Sequence, residues 1–224
     1  MKVYIAKIDE IEEAKALQLC SMLDSNRRQK LSGICNRKER MRCIFAGLLF
    51  RYAFLQEGYG INEWQQIETT EGTYGKPYLI KYPTFHYSLS HSGEWVACAV
   101  DTKSVGIDIQ EMKSWKLTLA KRFYHEEEFN RLLMLQKYDV DEQTKEFYRM
   151  WTAKESAVKW SGRGIGGGIQ QFVTATDYKS IYDINQKQRI NIRQYRVSRD
   201  YIVCVCSEND NFPDLPQQVN LEYQ

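Results

Sequence analysis

The chain has 224 residues, 43% of them hydrophobic and 27% charged, with a formal net charge of +2. That length holds one sizeable core or two small halves sharing one, and the composition is that of a folded, water-soluble chain rather than a disordered one. The near-balance of charge excludes a general pull toward nucleic acid or anionic membrane, so any polyanion site must be local, and no apolar run approaches the ~18 residues of a membrane span.

In chain order, residues 2–8 read as a strand, not as a signal peptide. "EIEEAKALQLCSMLD" (10–24) has helical spacing of its apolar residues. "NRRQK" and "NRKERMR" then gather Arg27, Arg28, Lys30, Arg37, Lys38, Arg40 and Arg42. Such a cluster is either a solvated helix face or a pocket for phosphate. A long, mostly buried helix follows and stops at Gly58 or Gly60. "YGKPYL" reads as a turn. "FHYSLSHS" and "EWVACAV" read as two strands around Ser92-Gly93, and "SVGIDIQ" as a third. Residues 117–137 read as helical, with a polar break at "KYDVDEQ" before a second long helix, "TKEFYRMWTAKESAVKW". Strands are expected near 171–176, 189–197 and 201–206, then a polar tail. Six cysteines carry no zinc spacing. Cys204 and Cys206 share one strand face, which is poor disulfide geometry, so buried free thiols of a cytosolic protein are expected.

The halves echo each other. "EGYGI" and "SGRGI" end the two long helices, with Gly58 and Gly162 offset by 104, while Trp95 and Tyr201 in two similar strands are offset by 106. Near-equal offsets suggest a duplicated α+β unit with a cleft between its copies.

Chemistry concentrates around "SVGIDIQ". Strand period places Asp108 and Gln110 on one face, roughly 7 Å apart. In "WTAKESAVK", Thr152, Glu155 and Lys159 share a helix face at i, i+3, i+7. Asp108 and Glu155 are therefore either surface carboxylates or two ligands of one Mg²⁺ whose remaining positions go to water and phosphate, with Lys159 a turn away. Ser88, Ser90 and His86 share a strand face, and His91 lies at the turn. The run "SGRGIGGG" follows a helix and lacks a terminal Gly-Lys-Ser/Thr, so it is not a phosphate-binding P-loop.

"YGKP" (74–77), "FHYSLSHSGEWV" (85–96), "VGIDIQ" (105–110), "AKRFYHEEEF" (120–129) and "FYRMWTAKESAVK" (147–159) together resemble the Sfp-type 4′-phosphopantetheinyl transferases, in that family's order and spacing. The resemblance implies an α+β fold, a pseudo-twofold pair of similar α/β subdomains, here 1–101 and 102–212 with a polar tail at 213–224. It implies transfer of phosphopantetheine from coenzyme A to a serine of an acyl, peptidyl or aryl carrier protein. Mg²⁺ bridges the pyrophosphate, the serine oxygen attacks its β-phosphorus, and adenosine 3′,5′-bisphosphate leaves. A cytoplasmic monomer with neither nucleic-acid nor membrane partners is expected.

By the resemblance, Asp108 and Glu155 match metal ligands and Lys159 the lysine near the pyrophosphate. Ser90 and His91 match coenzyme A contacts, Lys76 and Pro77 the segment beside the adenine, and Arg27 and Lys30 basic positions near the 3′-phosphate. Glu155 is also a candidate acceptor of the serine proton, directly or through water. Glu128 matches a recurring acid without an assigned role. There are two departures. Cys43 stands where a threonine contacts phosphate, and Gln110 where bacterial members often carry a third carboxylate. Gln110 then offers the metal a neutral oxygen or holds a water. Residues 111–135, with Trp115, Leu117, Phe123 and Tyr124, are the expected carrier-docking surface unless those side chains pack internally. Two other readings stay open: a metal-dependent nuclease built on Asp108 with Glu111 and Lys113, and a non-catalytic module that binds coenzyme A or carrier.

Overall fold

The computed structural model describes residues 1–8, 11, 13–136, 139–164 and 168–221. Parts of the expected first helix, of the polar break at 137–143, of the glycine run at 161–168 and of the tail lie outside the described residues. The first half contains β1 (Lys2–Lys7), α1 (Glu13–Cys20), α2 (Ser25–Ser32), α3 (Arg37–Gln56), α4 (Ile61–Gln65), β2 (Thr69–Glu71), β3 (Pro77–Leu79), β4 (His86–Ser92) and β5 (Trp95–Asp101). The second contains β6 (Val105–Glu111), α5 (Leu117–Phe123), α6 (Glu126–Gln136), α7 (Val140–Ser161), β7 (Phe172–Thr174), β8 (Ser180–Asp183), β9 (Gln188–Ser198) and β10 (Tyr201–Ser207). The chain returns through β11 (Gln217–Gln218), which pairs parallel to β1.

Two larger sheets result, ordered β11-β1-β5-β4 and β6-β10-β9-β8-β7, with a small β2–β3 hairpin beside them. Helix α3 covers the outer face of the first sheet, where Tyr4, Ala6, Val96 and Cys98 meet Phe45, Leu49 and Phe54. Helix α7 covers the outer face of the second, where Ala153, Ala157 and Trp160 meet Ile181, Cys204 and Cys206. The inner faces pack on each other: Val3, Ile5, Ala97 and Ala99 meet Val105, Ile107, Ile109, Val203 and Val205. The molecule is thus a mixed α+β fold of four layers, helix, sheet, sheet and helix. This explains why β5 is buried at every position rather than at alternate ones. It also answers what the polar face of β6 looks at. Asp108 faces away from the inter-sheet core and is 2% exposed, beneath α7 rather than solvent.

The strands β4 to β6, β9 and β10 and both long helices fall where hydrophobic pattern predicts. The α2 helix, a five-residue α4 and β8 were not foreseen, and "YGKPYL" supplies β3 as well as its turn. Helix α7 begins at Val140 because Asp139 caps it, its carboxylate accepting from the amides of Asp141 and Glu142. It ends at Gly162, whose φ of 68° is the left-handed cap that glycine favours. The segment expected as a polar tail includes Val219 and Leu221, both buried against the first core.

Candidate active site at the seam between the sheets

The site is built where β4, an edge of the first sheet, runs beside β6, an edge of the second. No backbone ladder joins them among the pairings above. Three serines of β4 do so instead. The hydroxyl of Ser88 accepts from the amide of Ile107 at 3.1 Å, Ser90 from Ile109 at 3.2 Å, and Ser92 from Glu111 at 3.0 Å. Strand period puts the three hydroxyls on one face, so each satisfies an otherwise orphaned edge amide of β6.

Glycine at 106 sets the distance to α7. A Cβ there would lie 2.0 Å from the carbonyl oxygen of Ser156 and 2.4 Å from the amide nitrogen of Trp160. Only a residue without a side chain lets the helix come this close. The closeness places Lys159 Nζ 2.8 Å from Asp108 Oδ1 and 2.8 Å from Ser90 Oγ. Ser90 in turn donates to Asp108 Oδ1 at 2.8 Å, and the Gln110 amide donates from Nε2 to Asp108 Oδ2 at 3.0 Å. Both oxygens of Asp108 are therefore held.

Glu155, one turn before Lys159, is 8% exposed. Burial first, and the Asp108 charge second, push its carboxyl up to about 7, against the pull of Lys159. Two carboxylates in a desolvated place repel, and a divalent cation between them would relieve both the burial and the repulsion. The oxygen donors of Asp108, Glu155 and Gln110 suit a hard cation such as Mg²⁺. Among the described residues no group of three or more His, Cys, Asp and Glu side chains is arranged for a metal.

A positive wall adjoins the carboxylates. His91 Nε2 is 3.5 Å from Glu39, whose carboxylate also pairs with Arg42 at 2.9 Å. Burial holds the His91 pKa below its usual value; Glu39 opposes this, and the charges of Lys159, Arg42 and Arg27 add to it. Arg27 lies against Gly47 of α3 and donates to the Cys43 carbonyl at 3.4 Å. Its Nε is buried without a hydrogen-bond partner among the described residues. Lys30 stands apart on the surface, paired with Glu71 at 2.5 Å.

Lys76 is placed differently from a free phosphate ligand. Its ammonium reaches across the seam to Ser104 Oγ at 2.7 Å and to the carbonyls of Trp160 at 2.8 Å and Val105 at 3.2 Å. It caps the C-terminal end of α7 from the other half, and burial draws its pKa down to about 8. Lys76 and Pro77 line a cavity of about 320 Å³ with Tyr74, Phe85, Tyr87 and Trp160. A second cleft, about 580 Å³, starts at Gln110 and runs past Trp115, Leu119, Phe147 and Trp151. Of the aromatic residues expected on a docking surface, Tyr124 is buried and its hydroxyl donates to the Phe147 carbonyl, while Trp115 stacks on Phe147 at 4.3 Å. Sequence reasoning passed over Ser92, Glu39 and Arg42 as individual site members; the Ser-x-Ser-x-Ser alternation of β4 was the available signal for the first.

Comparison with known proteins decides the family. The family described as the 4′-phosphopantetheinyl transferase superfamily matches residues 104–206, the stretch holding Asp108, Gln110, Glu155 and Lys159. A Bacillus subtilis protein called 4′-phosphopantetheinyl transferase is 31% identical over 218 residues, covering 96% of this chain and 95% of its own length. The chain belongs to this superfamily. Among other transferases of the superfamily, Sfp of B. subtilis strain 168 is 29% identical over 226 residues, covering 99% of each chain. The transferase psf-1 of Bacillus pumilus is 39% identical over 131 residues, 58% of this chain and 54% of its own. The resemblance carried by the five motifs is borne out, and the transferase described here is an enzyme of that class. Among its described residues no helix is long and apolar enough to cross a membrane.

Proposed function

We propose that the enzyme moves the 4′-phosphopantetheinyl group of coenzyme A onto a serine of an acyl, peptidyl or aryl carrier domain. The observation that carries this reading is the pairing of Asp108 with Lys159 and Ser90 at 2.8 Å, beside the raised carboxyl of Glu155. The serine oxygen attacks the β-phosphorus. The bond from that phosphorus to the oxygen bridging the two phosphates breaks, and adenosine 3′,5′-bisphosphate leaves. Glu155 takes the serine proton, directly or through water. Lys159 exchanges Asp108 for the pyrophosphate and offsets the charge gathering on the leaving bisphosphate. Most of the protein's work is positioning and charge stabilisation. Asp108 and Glu155, with Gln110 directly or through a water, would hold Mg²⁺, which supplies charge neutralisation at the pyrophosphate.

His91 and Arg27 are assigned to the 3′-phosphate, with Cys43 beside them; Lys30 would join them only by leaving its surface pair with Glu71. The cavity along Lys76 and Pro77 is assigned to the adenine; there Pro77 and the backbone would serve, since the Lys76 ammonium is engaged elsewhere. The cleft from Gln110 to Trp151 is the proposed approach of the carrier. Among the described residues none of the six cysteines is in a disulfide, which supports a reducing cytoplasmic setting, and we take the monomer as the acting unit.

The test is release of adenosine 3′,5′-bisphosphate from coenzyme A in the presence of Mg²⁺ and an apo-carrier. Asp108→Ala and Glu155→Ala, folded by circular dichroism, should each lower the rate by roughly a thousandfold, the scale of several kcal/mol of lost charge stabilisation. Near-wild-type release by either variant would remove it from the reacting centre.

A further inference from the structure

Lys154 and Glu128 are fully buried charges that this chemistry does not use. Their side chains are 0% and 1% exposed, and Lys154 Nζ lies 2.7 Å from Glu128 Oε2. Lys154 also donates to the carbonyl of Phe172, and at 3.5 Å to that of Ile169. Glu128 accepts the amide of His125 on Oε2 at 2.9 Å and that of Thr174 on Oε1 at 2.8 Å. One ion pair therefore joins four segments. They are α7, the first turn of α6, strand β7 and the 3-10 turn Ile169–Gln171 that brings the chain back after α7.

We propose that the Glu128–Lys154 pair is a positioning device for Glu155: it fixes the rotation of α7 about its own axis and so sets where the Glu155 carboxylate stands relative to Asp108. The inference rests on the reading of Glu155 as the carboxylate that meets the reacting groups. Lys154 and Glu155 are neighbours on α7 and project about 100° apart around it. Gly106 fixes how near α7 lies to β6, but a close approach alone does not fix rotation. Ala153, Ala157 and Val158 pack in a cluster with Ile181, Cys204 and the ring of Phe172, and apolar packing of the right volume tolerates small rotations. A rotation of about 20° moves a group ~6 Å from the axis by about 2 Å. A misplacement of about 1 Å can cost about a hundredfold in rate. An ammonium held by a carboxylate and two carbonyls at fixed points resists that rotation. A buried ion pair is, besides, a poor device for stability alone, since its desolvation offsets much of its attraction.

The experiment measures kcat and KM for coenzyme A in Lys154→Met, Glu128→Gln and Lys154→Arg, each rate divided by the folded fraction from a melt under assay conditions. Positioning predicts that Lys154→Met and Glu128→Gln lower kcat per folded molecule by roughly tenfold or more, with KM for coenzyme A within about twofold of wild type. Lys154→Arg, which keeps the charge and donors, should recover most of the loss. Full kcat per folded molecule in Glu128→Gln overturns the proposal, as does a parallel loss of kcat and coenzyme A affinity. Should Lys154→Met not fold, Glu128→Gln decides alone, because it keeps the shape and one acceptor oxygen. A wild type that performs no transfer would overturn the functional reading and this proposal with it; transfer by wild type and variants alike would overturn only the latter.

Discussion

A carboxyl that is 8% exposed and faces a second carboxylate resists ionisation, and for Glu155 this has a sign that can be measured. Its folded pKa of about 7 lies above the ordinary value of 4.5. The folded state therefore holds the proton more tightly than the unfolded chain. The resulting stability is fully present below pH ~4.5 and is lost as pH rises through about 7. The span corresponds to roughly 3 kcal/mol. Glu155→Gln removes that loss, so without divalent cation the variant should melt several degrees above wild type at pH 8 and much closer to it at pH 5, while losing transfer. A variant that melts below wild type at pH 8 would contradict the desolvated, repelled carboxyl. Asp108, Glu155 and Lys159 were legible as residue types because strand period and helix spacing each put them on one face. The roles of Ser88 and Ser92 and the three-way use of the Lys76 ammonium were not. Their partners lie 19, 28, 29 and 84 residues away, and no local pattern encodes such distances.

At the scale of elements, the site depends on how α7 meets β6. Nothing local in "VGID" or "TAKESA" tells that Gly106 lies against the backbone of Ser156 and Trp160. Gly106→Ala forces a methyl group to within 2.0 Å of the Ser156 carbonyl and 2.4 Å of the Trp160 amide. Both are backbone atoms, so the whole helix must move. We expect a loss of about 2 kcal/mol or more in urea unfolding, and a fall in transfer larger than the folded fraction accounts for. Unchanged stability and rate would mean that α7 does not sit where described. Helix α2 escaped the sequence reading for a physical reason. Its sequence SNRRQKLS buries only Leu31, so it has no amphipathic period to detect, and its cap Asp24 signals a start without a following apolar stripe. Strand β8 is four residues long, too short for alternation to stand out.

Across the molecule, two sheets back onto each other and their edges β4 and β6 meet at the chemistry. Each half brings part of it. The first supplies Ser90, His91, Arg27 and the Lys76 cap; the second supplies Asp108, Gln110, Glu155 and Lys159. Neither half is complete, and β11 returns from the second to complete the sheet of the first. The mixed α+β class was legible from the order of strands and long helices. The inter-sheet core was not, because runs such as "WVACAV" look alike whether they face one layer or two. The return of β11 was hidden by its two-residue length and polar surroundings. The residues of the echo at offsets of 104 and 106 lie just beyond α3 and at the cap of α7, and at the starts of β5 and β10. The central claim is that this seam joins phosphopantetheine to a carrier serine. It is tested most directly by intact-mass spectrometry of apo-carrier proteins of the fatty-acid, polyketide and peptide-synthetase kinds, each incubated with the enzyme, coenzyme A and Mg²⁺. The account predicts a gain of one phosphopantetheinyl group on at least one carrier, abolished when the carrier's acceptor serine is replaced by alanine and when Asp108→Ala replaces the wild-type enzyme. No mass gain on any carrier by folded enzyme, or a gain that survives the Asp108→Ala substitution, would contradict it.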